Sequence, residues 1–294
     1  MLRSMLFAPG NQPRKVAKAL AEVPADAVIL DLEDAVPLAG KEETRAPVAA
    51  ALGMARRSGT RVYVRVNGVD TPWFFGDLAA VVRPGLDGVV LPKTADAHQV
   101  YLADRYLAHL EATRGLAPGS VELLPLIESA EGLANLRDIC AQGRRGGRVA
   151  CLGFGAADFT ADVGATWTPD EPELLLARTQ LVHASRLAGL EPPVDTVYPH
   201  FRDQEGLERT SRRARDLGFQ GRTCIHPDQI EPVHRIFSPT PEEIAWAEEV
   251  LAAFAEAEAH GVAAIQVRGQ LIDYAFLPRA RRILAQAGRT TGAA

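Results

Sequence analysis

Cysteine is scarce in this chain of 294 residues: Cys140, Cys151 and Cys224 are all there are, none in a CxxC pair or at Cys/His metal spacing. That excludes zinc-ribbon and dithiol redox chemistry and points to a reducing compartment. Long apolar runs are missing too. No stretch approaches the ~20 residues that cross a bilayer, and residues 1–10 carry one Arg and a short apolar run ending in Pro-Gly, without the longer core of a secretion signal. The expectation is a cytoplasmic protein without membrane contact. Positive charge is not in excess: 32 Lys and Arg against 37 Asp and Glu leave −5, and the basic residues are scattered. Nucleic acid is therefore not an expected partner. Internal repeats and low-complexity segments are absent as well.

What is present is alternation. Short β-branched or apolar runs at residues 3–8, 27–32, 61–66, 88–92, 122–127, 148–154, 194–198 and 219–225 are each followed by a stretch of helical period. Eight strands in strict β–α order predict an α/β fold of the TIM (β/α)8 barrel type, and a barrel of roughly 250 residues fits the length with an appendage left over. Thr94 or Asp96 caps a helix over 98–111, which Gly115 and Pro118 end. Ser238-Pro239-Thr240-Pro241-Glu242-Glu243 opens a long Ala/Glu-rich helix over 242–260, followed by a short strand over 263–267, a turn at Gly269 and a last helix over 274–287. The expected division is a catalytic barrel over 1–237 and a C-terminal lid and oligomerisation subdomain over 238–294.

In such a barrel the active site lies where strands give way to loops at the C-terminal mouth. Here those positions are polar: Asp31-Leu32-Glu33-Asp34, Arg65-Val66-Asn67, Lys93, Glu128-Ser129, Asp158 and His226. Any one strand-end carboxylate can simply cap the next helix. Glu33, Asp34, Glu128 and Asp158 together would repel one another, more than Arg65 and Lys93 can neutralise. A hard divalent cation resolves the conflict, and all-oxygen ligands point to Mg²⁺. Because Mg²⁺ takes only one or two carboxylates and keeps its waters, Glu128 and Asp158 are assigned as direct ligands, with Glu33 and Asp34 holding the waters. Arg65, flanked by apolar residues, suits bidentate capture of an acidic substrate, or else a salt bridge to Glu33 or Asp34. Phe7 to Asn11 lead into a helix with Arg14, Lys15 and Lys18, a possible phosphate site. His226 is expected to be structural.

The motifs Arg-Ser-Met-Leu-Phe-Ala-Pro-Gly-Asn, Ile-Leu-Asp-Leu-Glu-Asp-Ala-Val, Val-Arg-Val-Asn, Leu-Pro-Lys-Thr, Ile-Glu-Ser-Ala-Glu-Gly-Leu, Gly-Ala-Ala-Asp-Phe and Gly-Arg-Thr-Cys-Ile-His-Pro-Asp-Gln-Ile follow in that order. From about Arg3 to Ala287 the chain resembles the citrate lyase β-subunit-like family of the HpcH/HpaI aldolase superfamily, in particular its stand-alone citramalyl-CoA and malyl-CoA lyases. The resemblance implies that Glu128 and Asp158 match the magnesium ligands and Arg65 the substrate-carboxylate arginine. It also implies that Phe7, Arg14 and Lys18 contact CoA, with Phe7 where relatives often have Tyr and Arg14 where they often have Lys. Asp273 in Gly-Gln-Leu-Ile-Asp matches a lid aspartate, expected to act as acid/base in a neighbouring subunit of a homotrimer or hexamer, unless it only caps the following helix. The implied ligands are an acyl-CoA and a 2-oxo acid such as pyruvate, glyoxylate or an oxaloacetate-like acid. The implied reaction is Mg²⁺-dependent cleavage of a short β-hydroxyacyl-CoA into acetyl-CoA and that acid. The alternatives are a citryl-carrier-protein lyase subunit of a citrate lyase complex, and a malyl-CoA thioesterase or malate synthase-type activity.

Overall fold

A computed structural model describes residues 1–289. The eight runs form parallel strands: β1 (Ser4–Pro9), β2 (Ala27–Asp31), β3 (Arg61–Arg65), β4 (Gly88–Leu91), β5 (Glu122–Ile127), β6 (Gly153–Phe154), β7 (Val194–Asp195) and β8 (Gly221–Cys224). Each pairs with the next, and β8 pairs with β1, so the sheet closes on itself. The helices between them are α1 (Pro13–Ala21), α2 (Lys41–Ala51), α3 (Phe74–Val81), α4 (Ala97–Thr113), α5 (Ala130–Ala134), α6 (Leu136–Gly146), α7 (Ala156–Asp162), α8 (Leu175–Ala188), α9 (Gln204–Leu217) and α10 (Ile230–Phe237). This is the TIM barrel that the alternation predicts. None of the described helices is long and apolar enough to cross a membrane.

Two strands, β6 and β7, keep only two residues of their apolar runs. In β6 the stretch before Gly153 stays extended but touches its neighbours singly, through Leu123 N–H to the Arg148 carbonyl at 3.0 Å and Val194 N–H to the Leu152 carbonyl at 2.9 Å. After Asp195 the chain leaves the sheet because its polar groups have other partners: the Thr196 hydroxyl accepts from Ala156 N–H at 3.0 Å, and its carbonyl accepts from Arg222 Nε at 3.1 Å. The cap of α4 is Asp96, which accepts from Gln99 N–H at 2.9 Å.

Period two decides what fills the barrel. Met5, Ala27, Ile29, Tyr63, Val90, Leu124, Leu126, Cys151 and Val194 form one buried cluster, with Phe7 packed against it. Stepping two residues onward along the same strands gives Asp31 after Ile29, Arg65 after Tyr63 and Glu128 after Leu126. The polar residues are thus the next layer of the same stack.

Charge is also buried outside the mouth. Arg178 forks onto Asp195 at 2.9 and 3.0 Å and donates to Glu171 at 2.7 Å, while Arg222 lies 3.8 Å from Asp195 and donates to Thr210 and Ser211. Two arginines and two acids cancel there, and loss of one partner from such a group costs about 3–5 kcal/mol. Arg148 bonds both Asp104 and Glu111, and Arg105 adds a second cation on Asp104 at 2.7 Å.

Contacts divide the chain into Met1–Arg235 and Ile236–Ala294. The second unit has its own core of Ala247, Val250, Phe254, Val267, Ile272, Ala280 and Leu284. It is built from α11 (Pro241–Ala259), the antiparallel hairpin of β9 (Ile265–Val267) and β10 (Gln270–Ile272), and α12 (Leu277–Gln286). Thr240 and Glu243 close a capping box at the start of α11. Arg268 and Gly269, both at positive φ, make the hairpin turn. The last helix starts at Leu277, three residues later than the periodicity predicts, because Asp273 makes a turn of its own: its carboxylate accepts from Ala275 N–H at 2.9 Å and its carbonyl from Phe276 N–H at 3.1 Å.

Candidate active site

The mouth holds a cleft of about 400 Å³ lined by Phe7, Asp31, Asp34, Arg65, Glu128 and Asp158, together with Leu126, Phe154, Val197, Ile225 and the hydroxyl residues Thr196 and Thr223. A wider cleft of about 530 Å³ lies at the C-terminal ends of α6 and α8, but none of its lining residues is acidic.

Asp31 and Arg65 are register partners on β2 and β3. That adjacency lets the Arg65 fork close on Asp31, Nε to Oδ1 at 2.8 Å and Nη2 to Oδ2 at 2.7 Å. The same buried carboxylate accepts from Glu33 N–H at 2.9 Å and Ala35 N–H at 3.1 Å, so it also shapes the turn that carries Glu33 and Asp34. Nη1 of Arg65 lies 2.9 Å from Glu33 and 3.5 Å from Asp34, and the guanidinium sits 4.8 Å from the centre of the Phe7 ring. Burial works against the Arg65 charge, but the bond and field of Asp31, then Glu33 and Asp34, hold its pKa above the ordinary value. Asp31 takes the Nε–Nη2 edge and Nη1 faces Glu33 and Asp34, the salt bridges that the sequence offered as the alternative, so an acidic ligand would share the Nη1–Nη2 edge with those carboxylates.

Glu128 follows β5 and lines the cleft, and Ser129 caps α5 by accepting from Gly132 N–H at 3.0 Å. One oxygen of Glu128 accepts from the Lys93 N–H at 2.6 Å. Burial pushes its carboxyl up to about 8, and the charges of Asp158 and Glu33 add to the rise against that N–H and Arg65. Asp158, in the first turn of α7, lines the cleft half-buried, and among the described residues no hydrogen bond or ion pair reaches its carboxylate. Glu33 is raised by burial as well, despite Arg65 and a 2.8 Å bond from Lys93 Nζ. Its buried Oε2 accepts no aligned hydrogen bond and faces Arg65 Nη1 at 2.9 Å.

These donors fit a hard cation. Among the described residues no group of three or more His, Cys, Asp or Glu is placed to hold a metal; two carboxylates completed by water are what Mg²⁺ ordinarily takes. Gly155 makes room for them, since a Cβ there would lie 2.3 Å from Glu128 Oε2. Gly155→Ala is expected to weaken Mg²⁺ binding about 10–100-fold by calorimetry; unchanged affinity would show that Glu128 has slack.

Arg14 and Lys18 are exposed on α1 and do not line the cleft. Asp273 belongs to the second unit. Asn67 is tied by Asp77 at 2.6 Å, and His226 caps a turn by accepting from Asp228 N–H while stacking on Phe201 at 5.2 Å. Asp31 and the Lys93 backbone were not singled out from the sequence. Asp31 has a legible signal, being in phase with Ala27 and Ile29; Lys93 has none, because a backbone angle is not written in residue type.

Two family models match the chain: HpcH/HpaI aldolase/citrate lyase over residues 3–227, and C-C bond lyase of the TIM-barrel fold over residues 186–289. The chain is 36% identical over 282 residues to citrate lyase subunit beta of Leuconostoc mesenteroides subsp. cremoris, covering 96% of this chain and 92% of that one. It is 35% identical over 293 residues to the mitochondrial citramalyl-CoA lyase of Mus musculus, covering 97% and 86%. Among solved structures, CitE from Mycobacterium tuberculosis in complex with magnesium, acetoacetate and coenzyme A superposes with a TM-score of 0.78 at 30% identity, over 98% of both chains.

Proposed function

The chain belongs to the HpcH/HpaI aldolase/citrate lyase family and is a carbon–carbon lyase, and from that premise we propose that it cleaves a short β-hydroxyacyl-CoA of citramalyl-CoA or malyl-CoA type, with Mg²⁺, into acetyl-CoA and a 2-oxo acid. The observation that carries this reading is the pairing of Glu128 with Asp158 in the mouth, where one oxygen of Glu128 and the whole Asp158 carboxylate lack protein partners among the described residues. The magnesium and coenzyme A bound by the CitE structure support it.

Glu128 and Asp158 would hold the ion, and Glu33 and Asp34 the waters around it. When bound there, Mg²⁺ would supply Lewis-acid polarisation of the oxygen that becomes the 2-oxo carbonyl. In cleavage the β-hydroxyl loses its proton and its oxygen becomes that carbonyl. The carbon–carbon bond breaks, and its electron pair passes to the thioester enolate, which takes up a proton as acetyl-CoA. The Nη1–Nη2 edge of Arg65, shared with Glu33 and Asp34, orients the substrate carboxylate. The exposed cations of Arg14 and Lys18, with Phe7, serve the CoA end. Asp273 is the acid/base, carried by the C-terminal lid into a neighbouring subunit of a homotrimer or hexamer, and closure excludes water from the enolate.

The match to a citrate lyase β subunit favours one second reading, action on a citryl group borne by an acyl-carrier partner. A panel of malyl-, citramalyl- and methylmalyl-CoA, compared by kcat/KM with and without an added carrier protein, separates the two. Turnover of a free acyl-CoA is expected, lost in Asp273→Asn; turnover only with the carrier would overturn the proposal.

A further inference from the structure

Three described residues other than glycine have positive φ: Lys93, Glu171 and Arg268. Arg268 is in the hairpin turn and Glu171 in the buried charge network, where their surroundings account for them. Lys93, at φ 50°, follows β4 at the barrel mouth, and half of its side chain is exposed. A long side chain pays for the left-handed region in steric strain that glycine escapes, and no core packing asks for a lysine at a half-exposed site. Strain kept at such a place is the mark of a conformation used for something.

The use is visible in its two hydrogen bonds. The Lys93 N–H reaches Glu128 Oε1 at 2.6 Å, and Nζ reaches Glu33 Oε1 at 2.8 Å with Asp34 at 3.7 Å. The second oxygen of Glu128 is left without a hydrogen bond from the described residues, while that of Glu33 is buried against Arg65 Nη1 at 2.9 Å. We propose that Lys93 is a positioning residue for the lyase reaction: its left-handed backbone aims one donor at Glu128 while its ammonium fixes Glu33, so that one residue sets both glutamates of the mouth. The ammonium also supplies the positive charge that lets Glu33 and Asp34 stand close to the ligand pair before any cation binds.

The inference rests on the lyase reading, and the variants Lys93→Ala, Lys93→Gly and Lys93→Arg test it with two readouts. Melted in EDTA, Lys93→Gly is expected to exceed Lys93→Ala by about 2–4 °C, the relief of left-handed strain in a chain of this size. In turnover, Ala and Gly variants are both expected to fall about 10–100-fold below wild type, as with lost outer partners of a metal site, and Lys93→Arg to recover most of the loss. Activity would then fail to follow stability. Wild-type levels of activity in Lys93→Ala, or activity that tracks melting temperature across the series, would overturn the proposal. Absence of turnover in the wild type would instead overturn the lyase reading, and equal melting of the Gly and Ala variants would overturn the strained-donor half of the inference.

Discussion

Glu128→Gln is expected to lower kcat/KM on the order of 10³-fold while leaving the fold intact or more stable. The amide has nearly the same shape and can still accept the Lys93 N–H, so the loss isolates the negative charge. The stability half follows from linkage. Burial raises the Glu128 carboxyl from an ordinary 4.5 to about 8, so as pH rises through that window the unfolded chain releases a proton that the folded, metal-free chain retains. The wild type in EDTA therefore loses stability relative to Glu128→Gln between about pH 4.5 and 8, with no further change above. Urea unfolding of both proteins across that range checks it. Equal pH dependence would mean that Glu128 is better solvated than its burial implies.

Arg65→Lys, which keeps the charge, is expected to lower kcat/KM by on the order of 10²-fold. The guanidinium does two planar tasks, gripping Asp31 with one edge and lining the cleft with the other, where Nη1 faces Glu33 and Asp34. A lysine ammonium is a single point and cannot do both. The Asp31 carboxylate, 1% exposed, would keep a nearby cation but lose its fork, and with it part of the order in the Glu33–Ala35 turn. Unchanged kcat/KM for the acidic substrate, with lowered stability only, would make Arg65 a counterion for Asp31 and nothing more.

Much of this site was legible before the fold. Eight apolar runs in strict alternation imply a closed barrel, and once the barrel is granted, polar residues where strands give way to loops belong to its mouth; that is why Arg65, Glu128 and Asp158 could be named, and all three line one cleft, Asp158 from the first turn of α7. Glu33 and Asp34 followed from the same rule at the end of β2. What escaped were pairings rather than residues. Asp31 reads as one acid among several until the β2–β3 register sets it beside Arg65. The Arg178, Arg222, Glu171 and Asp195 network joins residues from separate elements and leaves no periodic trace. Strands β6 and β7 are shorter than their apolar runs because backbone groups there bond singly or to side chains, and β10 went unread because a three-residue strand is too short to show alternation.

The most direct test of the mouth as a metal-assisted carbon–carbon lyase site is a product assay on one vessel of purified protein and citramalyl- or malyl-CoA. Free 2-oxo acid and free CoA thiol are followed together, first in EDTA and then after Mg²⁺ is restored in excess. The expected result is no product in EDTA and, with Mg²⁺, 2-oxo acid without thiol. Thiol release without 2-oxo acid, or cleavage unaffected by EDTA, would contradict it.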